Sequence, residues 1–355
     1  MAESDSKSQE KKEQTIASLG EFGLIDHLTK GFAINNKSTI KAIGDDAAVL
    51  KSGNMLSLIS TDLLLEGIHF NLMYVPLKHL GYKSVIVNIS DIAAMNGVAE
   101  QITVSVAISN KISLKAIEEF YEGVLLACKK YNVDLVGGDT STSLTGFAVS
   151  ITAIGRINRD KVVYRSGAKN KDLLCVSGDL GAAYLGLQIL ERERKVYEVD
   201  PYTQPKLAGY DYVLERQLKP EARFDIIEKL KNKGIVPTSM IDISDGLSSE
   251  ALHLCKESNV GCKIYEDRIP VNILSQRVCE ELNLDPSLPA LNGGEDYELL
   301  FTVDINDYDK IKEIDDISLI GYICDLDQGA DLIARNGVEV PLEAQGWNHT
   351  NNGEN

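Results

Sequence analysis

Paired cysteines, long apolar runs, an excess of basic charge and the familiar nucleotide-loop signatures are all missing from this 355-residue chain. Its six cysteines (Cys128, Cys175, Cys255, Cys262, Cys279 and Cys324) include no Cys-x-x-Cys pair. Most sit in apolar surroundings such as Leu-Leu-Cys175-Val, which reads as reduced packing residues rather than a disulfide frame. Uncharged runs of the ~20 residues needed to span a bilayer do not occur, so no membrane segment is expected. Lys plus Arg number 36 against 53 for Asp plus Glu, a formal charge of -17. That balance repels phosphate backbones and anionic surfaces and excludes nucleic acid as a general partner. No Gly-x4-Gly-Lys-Ser/Thr occurs, because Gly181 and Gly186 lead into Leu187-Gln188. Gly-x-Gly-x-x-Gly and the kinase His-Arg-Asp are absent too, which excludes P-loop and protein-kinase folds. The five histidines form no i, i+4 pair, and zinc hydrolysis therefore lacks its ligands.

The N-terminal stretch to Thr15 is mostly Ser, Lys, Glu and Gln with no apolar h-region. It reads as a solvated tail rather than a secretory signal, which implies a cytoplasmic chain in which the Asn-x-Ser/Thr triplets at Asn36, Asn88 and Asn348 carry no meaning. Hydrophobic residues at 44% and charged residues at 25% are the balance of an ordinary globular protein, and the length suits about two domains of roughly 150 residues. Short β-rich runs alternate with helical periodicity, predicting an α/β protein of the α+β type. Strands are expected at Leu56–Ser60, Ile102–Ile108, Asp134–Val136 and Phe147–Ile154, and helices over Leu77–Met95 and Leu114–Tyr131. The second half is expected to carry strands at Asp172–Val176, Val236–Ile243, Leu299–Val303 and Ser318–Ile323, and helices at Ala182–Leu190 and Leu247–Ser258. Glu191 to Pro205 reads as a charged excursion. The boundaries that result are a disordered tail over 1–19, an N-terminal domain over 20–165, a C-terminal domain over 166–347 and a frayed end over 348–355.

Acidic residues recur where a strand stops and glycine or small polar residues begin. The segments are Gly44-Asp45-Asp46, Ser60-Thr61-Asp62, Asn88-Ile89-Ser90-Asp91, Gly137-Gly138-Asp139, Asp242-Ile243-Ser244-Asp245-Gly246 and Gly293-Gly294-Glu295-Asp296. Each taken singly is also an ordinary turn. Together they are costly beside apolar sequence unless cations neutralise them, and Mg²⁺ favours such hard oxygen ligands alongside phosphates. Asp91 shares a helical stripe with Asn88, so it either meets a structural partner or coordinates an ion. The glycines before Asp139 and Glu295 permit close backbone approach to a ligand, or simply make tight turns. Arg165 in Arg165-Ser-Gly-Ala-Lys169 offers a fork for phosphate, or a solvated basic loop. His69, in Glu66-Gly-Ile-His-Phe70, is either packed in the core or in contact with a ligand.

Read in order, these segments resemble the thiamine-monophosphate kinases, in the superfamily that also holds aminoimidazole ribonucleotide synthetase, selenophosphate synthetase and a hydrogenase-maturation protein. The matching runs include Gly20-Glu-Phe-Gly-Leu-Ile25, Gly44-Asp-Asp-Ala-Ala48, Val87-Asn-Ile-Ser-Asp-Ile-Ala-Ala-Met95, Gly137-Gly-Asp-Thr140, Ile241-Asp-Ile-Ser-Asp-Gly-Leu247 and Gly293-Gly-Glu-Asp-Tyr-Glu-Leu299, and the likeness extends over residues 20 to 347. It implies a two-domain subunit whose N-terminal domain forms a dimeric β-barrel with helices outside, completed by a C-terminal α/β domain. It also implies transfer of the γ-phosphoryl of ATP to thiamine monophosphate, with ATP and several Mg²⁺ ions held between the domains. By position, Asp46, Ser60, Thr61, Asp62, Asp91, Asp139, Asp242 and Asp245 carry over as the metal set, with Asp91, Asp139 and Arg165 at the centre of catalysis. Gly138, Asp139, Arg165 and Ser244 carry over as nucleotide contacts, and His69, Glu295 and Trp347 as substrate contacts. Where the family often has Gly-Tyr or Gly-Phe, this chain has Gly346-Trp347. The alternatives are another ATP-dependent synthetase of the superfamily or a non-catalytic nucleotide or metal sensor. Selenophosphate synthetase itself is disfavoured, because no cysteine precedes Cys128.

Overall fold

The computed structural model describes residues 16–344. The expected tail up to Thr15, Trp347 and the expected frayed end lie outside the described residues. Helix α1 (Ile16–Thr29) starts inside the stretch assigned to the tail. From Asn36 the described chain forms one compact unit, and α1 belongs to another.

Residues 39–158 build an open six-stranded sheet from β1 (Thr39–Lys41), β2 (Ala48–Ser52), β3 (Met55–Leu65), β4 (Val98–Ser109), β5 (Asp134–Ser143) and β6 (Ala148–Asn158), with α2 (Leu77–Ala94) and α3 (Leu114–Tyr131) between strands. Its order is β1-β2-β3-β6-β4-β5. Only β4 and β5 pair in parallel, and they are joined by the crossover helix α3. Alternate residues of the strands, such as Leu56 and Leu58 of β3 or Ile102 and Val104 of β4, share a core with Val85, Ile86, Ile89 and Ile92 of α2. Strand period and helix period thus meet on one buried surface, which fixes the face of α2 that carries Asn88 and Asp91.

The second half begins with β7 (Leu173–Ser177), α4 (Ala182–Val199), α5 (Asp211–Leu218), α6 (Phe224–Asn232), β8 (Ser239–Asp242) and α7 (Leu247–Ser258). It continues through β9 (Gly261–Tyr265), α8 (Ile273–Leu282), α9 (Ser287–Asn292), β10 (Leu299–Val303), β11 (Ile317–Cys324), β12 (Ala330–Ile333) and β13 (Glu339–Pro341). Its seven strands form a second sheet in the order β13-β12-β9-β11-β7-β10-β8. Among the described residues neither sheet closes into a barrel. All six cysteines are unpaired and buried, as expected. No described helix is long and apolar enough to cross a membrane.

Three expected boundaries move. Strand β5 does not stop at Gly137 but runs on to Ser143, paired with β4 throughout. Helix α4 extends through the supposed excursion to Val199, laced by Arg194 to Glu191 and Glu198 at i−3 and i+4. Strand β8 starts only at Ser239, because Pro237 cannot donate to a sheet ladder.

Candidate active site

Three carboxylates from three separate elements converge. Asp46 follows β1, Asp91 lies in α2 and Asp242 ends β8, and each places an oxygen within 4.8 Å of the others. Strand β3 backs the cluster: the Ser60 hydroxyl donates to Asp91 Oδ2, and the Asp62 N–H donates to Asn88 Oδ1 at 2.9 Å. Ser90, one residue before Asp91, donates to Asp242 Oδ2 at 2.6 Å. Arg165 forks onto Asp46 Oδ1, through Nε at 3.1 Å and Nη2 at 2.6 Å. Its backbone N–H donates to Asp45 at 3.1 Å, and the preceding Tyr164 carbonyl accepts from Met240 of β8, so the Arg165 segment is stitched to both sides of the cluster.

The electrostatics are those of an unfinished site. Burial is the largest cause lifting the pKa of Asp46, Asp91 and Asp242 above the usual carboxylate range, and the mutual repulsion of these acids adds to it. Arg165 pulls Asp46 and Asp242 the other way. Asp46 Oδ2 is buried without a hydrogen-bond partner. A buried, half-paired carboxylate oxygen among converging hard donors is what a divalent cation such as Mg²⁺ needs, so the residues present fit that ion.

Beyond Asp242 the chain turns through Ser244 and Asp245 into α7. Glu250, buried in the first turn of α7, accepts from the Asp245 N–H at 2.9 Å and the Ser244 hydroxyl at 3.4 Å. This turn is bonded backbone to backbone to the loop that carries Glu295: the Glu295 N–H reaches Ser244 O at 2.8 Å and the Tyr297 N–H reaches Ile243 O at 2.9 Å. A Cβ on Gly294 would fall 2.1 Å from Ser244 O, so that approach requires glycine. Glu295 itself adopts φ +67, a left-handed backbone that is unusual for its residue type.

Glu295 and His69 line one pocket together with Phe70, Tyr74, Lys83 and Gln217. His69 Nδ1 accepts from the Leu65 N–H at 3.0 Å. Lys83, on α2 two turns before Asp91, sets its ammonium 2.8 Å from Glu295 Oε1. Burial, and then the charges of Glu295, Asp62, Asp242 and Asp91, push the phenol of Tyr297 up, which places that ring within electrostatic reach of both pocket and cluster.

The sequence-derived set is therefore brought together in part. Asp46, Asp91 and Asp242 meet, with Ser60, Asp62 and Arg165 beside them, and Ser244 and Asp245 occupy the adjoining turn. Thr61 points the other way along β3, its hydroxyl bonded to Ile151 O and Thr152 across the sheet. Gly138 and Asp139 lie in the exposed strand β5, outside the three-carboxylate group. A Cβ on Gly138 would lie 1.8 Å from Val104 O, so that glycine serves the approach of β5 to β4. Sequence reasoning missed Ser90, Lys83, Gln217 and Glu250. Ser90 was legible beside Asp91, and Glu250 as an acid in a first helical turn. Lys83 and Gln217 carry no local signal.

Residues 44–157 match the family model for AIR synthase related protein, N-terminal domain. The thiamine-monophosphate kinase of Buchnera aphidicola subsp. Schizaphis graminum is 36% identical over 338 residues, covering 93% of this chain and 98% of that protein. The thiamine-monophosphate kinase of Aquifex aeolicus is 34% identical over 334 residues, covering 94% and 99%. Among solved structures, AaThiL complexed with AMPPCP and TMP superposes with a TM-score of 0.81 at 32% identity, covering 95% of this chain and 99% of that one.

Proposed function

This chain belongs to the thiamine-monophosphate kinase family, and on that footing we propose that it transfers the γ-phosphoryl group of ATP directly to thiamine monophosphate, giving thiamine diphosphate and ADP, the last step of thiamine diphosphate biosynthesis. The observation that carries this reading is the convergence of Asp46, Asp91 and Asp242 beside Arg165, one loop away from the pocket holding His69 and Glu295. The likeness to a structure holding AMPPCP and TMP supports the same pair of substrates.

Several Mg²⁺ ions belong to this reading, held by Asp46, Asp62, Asp91, Asp139, Asp242 and Asp245 with the Ser60 hydroxyl and, since its side chain points away, the main-chain oxygen of Thr61. When bound, Mg²⁺ offsets the charge that spreads over the transferring phosphoryl group. Arg165, with Gly138, Asp139 and Ser244, contacts the nucleotide, and its fork suits a phosphate as it now suits Asp46. His69, Glu295 and Trp347 contact the acceptor, and an indole over a thiazolium ring contributes about 0.5–2 kcal/mol. The acceptor oxygen is already an ionised phosphate, so the chain needs no side-chain nucleophile and forms no phospho-enzyme; its task is positioning and charge stabilisation.

A homodimer in the cytoplasm completes the proposal, with residues 20–165 forming the dimerising domain and 166–347 the domain that closes the site. Strand β5 supports it: it is an edge strand, exposed along almost its whole length, and it shows Leu135 and Val136 to solvent. Such an edge calls for a partner, and pairing two copies there would close a shared barrel. The test is a coupled assay of the protein with ATP and Mg²⁺, offering thiamine, thiamine monophosphate or buffer as acceptor. Thiamine diphosphate and ADP in equal amounts from the monophosphate alone are expected. Intact ATP in all three reactions sinks the reading, as does ³²P trapped covalently on the protein during turnover.

A further inference from the structure

We propose that Gln217, beside Glu295, is a second residue that reads the exocyclic amino group on the acceptor's pyrimidine ring, with Lys83 as the positioning residue behind it; this rests on the assignment of the pocket to thiamine monophosphate. Glu295, Lys83 and Gln217 form a closed hydrogen-bonded ring. Lys83 Nζ donates to Glu295 Oε1 at 2.8 Å and to the Gln217 main-chain oxygen at 3.1 Å, and Gln217 Nε2 donates to Glu295 Oε2 at 2.8 Å. A carboxylate accepts only from the NH₂ end of an amide, so this bond fixes which way the Gln217 amide faces. Its Oε1 is left buried with no hydrogen-bond partner, on a residue only 4% exposed. An unmet carbonyl in such a place is costly, and it signals a donor that arrives from outside.

The neighbouring donors are already engaged. Lys83 is bonded as described, and the Tyr74 hydroxyl donates to Glu191 at 2.7 Å. Apart from His69, whose Nδ1 accepts from the Leu65 N–H, the rest of the wall is apolar, made by Leu64, Phe70, Val75, Leu80, Leu187 and Leu218. The pocket therefore presents two acceptors side by side, Glu295 and the Gln217 carbonyl. The amino group of an aminopyrimidine carries the two N–H bonds that match them. Lys83 balances the charge of Glu295, so the pair selects for donor geometry and not simply for a cation. Arg216, next to Gln217, is locked onto Glu298 at 2.9 Å, which anchors the end of α5 that carries the amide.

The experiment is steady-state kinetics of the full chain, varying thiamine monophosphate and ATP in turn. Gln217→Met should raise the KM for thiamine monophosphate about tenfold, equal to about 1.4 kcal/mol, with the KM for ATP held within about twofold. Gln217→Asn keeps the amide but withdraws it by one methylene, and should act in the same direction. In a Glu295→Gln background, Lys83→Met should add less than about twofold, because it acts through Glu295. If both Gln217 variants stay near wild type while Glu295→Gln raises the KM, the inference fails and the pocket assignment stands. An equal rise in both KM values marks a merely structural role and also overturns it. If Glu295→Gln changes nothing, the pocket assignment beneath the inference falls.

Discussion

Glu298 and Asp296 are buried as deeply as Asp46 and Asp242, at 0% and 1% exposed against 7% and 4%, yet the two neighbourhoods are provisioned differently. Glu298 accepts from Arg216 on one oxygen and from Arg223 and Ser177 on the other. Asp296 accepts from the N–H groups of Gly181 and Ala183 at the start of α4, at 2.7 and 3.3 Å. Glu298 and Asp296 thus face two guanidinium groups, of which Arg223 is shared with Asp225, and a helix N-terminus. Around Asp46, Asp91 and Asp242 there are three carboxylates and one guanidinium, and Asp46 keeps an unmet oxygen. Buried charge is tolerated where it is paired and hydrogen-bonded. The paired cluster is a fastening, whereas the deficient one fits the cation and phosphates of the proposed function.

The comparison can be broken at either end. The largest effect is expected on the fastening: Arg216→Met should destabilise the fold by about 3 kcal/mol, since it leaves Glu298 and Asp296 short of a partner. Urea unfolding measures it, and a variant as stable as wild type would show that the cluster is not a fastening. At the deficient cluster the loss should fall on turnover instead. Asp91→Asn should lower kcat by about 10²-fold, near 2.7 kcal/mol of transition-state stabilisation, while the melting temperature in metal-free buffer holds or rises as repulsion is relieved. The same assay applied to Asp139→Asn sharpens the point, because a loss of that size would bring an exposed β5 residue into the site. Unchanged turnover in both variants would remove the metal assignment.

The effect that vanishes at neutral pH concerns His253, within electrostatic reach of Arg165. Burial, followed by the charges of Arg165 and Lys256, pushes its imidazole down to about 4. The folded state therefore keeps it neutral while the unfolded chain takes up a proton below about pH 6.5. The stability it contributes is present above that pH and is lost as pH falls toward 4. His253→Gln should make the decline in urea midpoint between pH 6.5 and 4 shallower. An identical slope would mean that the acid loss comes wholly from other groups.

Periodicity carried much of the fold into view. Helices α3 and α7 coincide with their expected limits because their apolar stripes are continuous and each ends at an asparagine in left-handed backbone, Asn132 and Asn259. The sequence alone ends β5 before Gly137-Gly138, which reads as a terminator until β4 is seen to lie against it. The stretch after Leu190 reads as a charged excursion when its charges are taken singly, whereas their i, i+3 and i, i+4 pairing extends the helix. At the site, acids next to turns were legible as a class. Their grouping was not, because Asp46, Asp91 and Asp242 are brought together only by packing of α2 between the two sheets. Gln217 and Lys83, 134 residues apart, meet for the same reason and left no trace in local pattern.

The bonds from Glu295 and Tyr297 to Ser244 and Ile243, and from Ile243 to Glu298, run from backbone to backbone. Their existence does not depend on which side chains those positions bear, provided that glycine stays at 294, that the left-handed positions 295 and 297 carry no β-branched residue and that proline stays away from the donors. The loop that carries Glu295 can thus accumulate substitutions while the turn at Ser244 remains in register beside it. On the proposed assignment, a lineage built on this clamp is free to exchange the molecule it phosphorylates and inherit the phosphate-handling half unchanged, which makes the seam between the two loops a point where new specificities can arise.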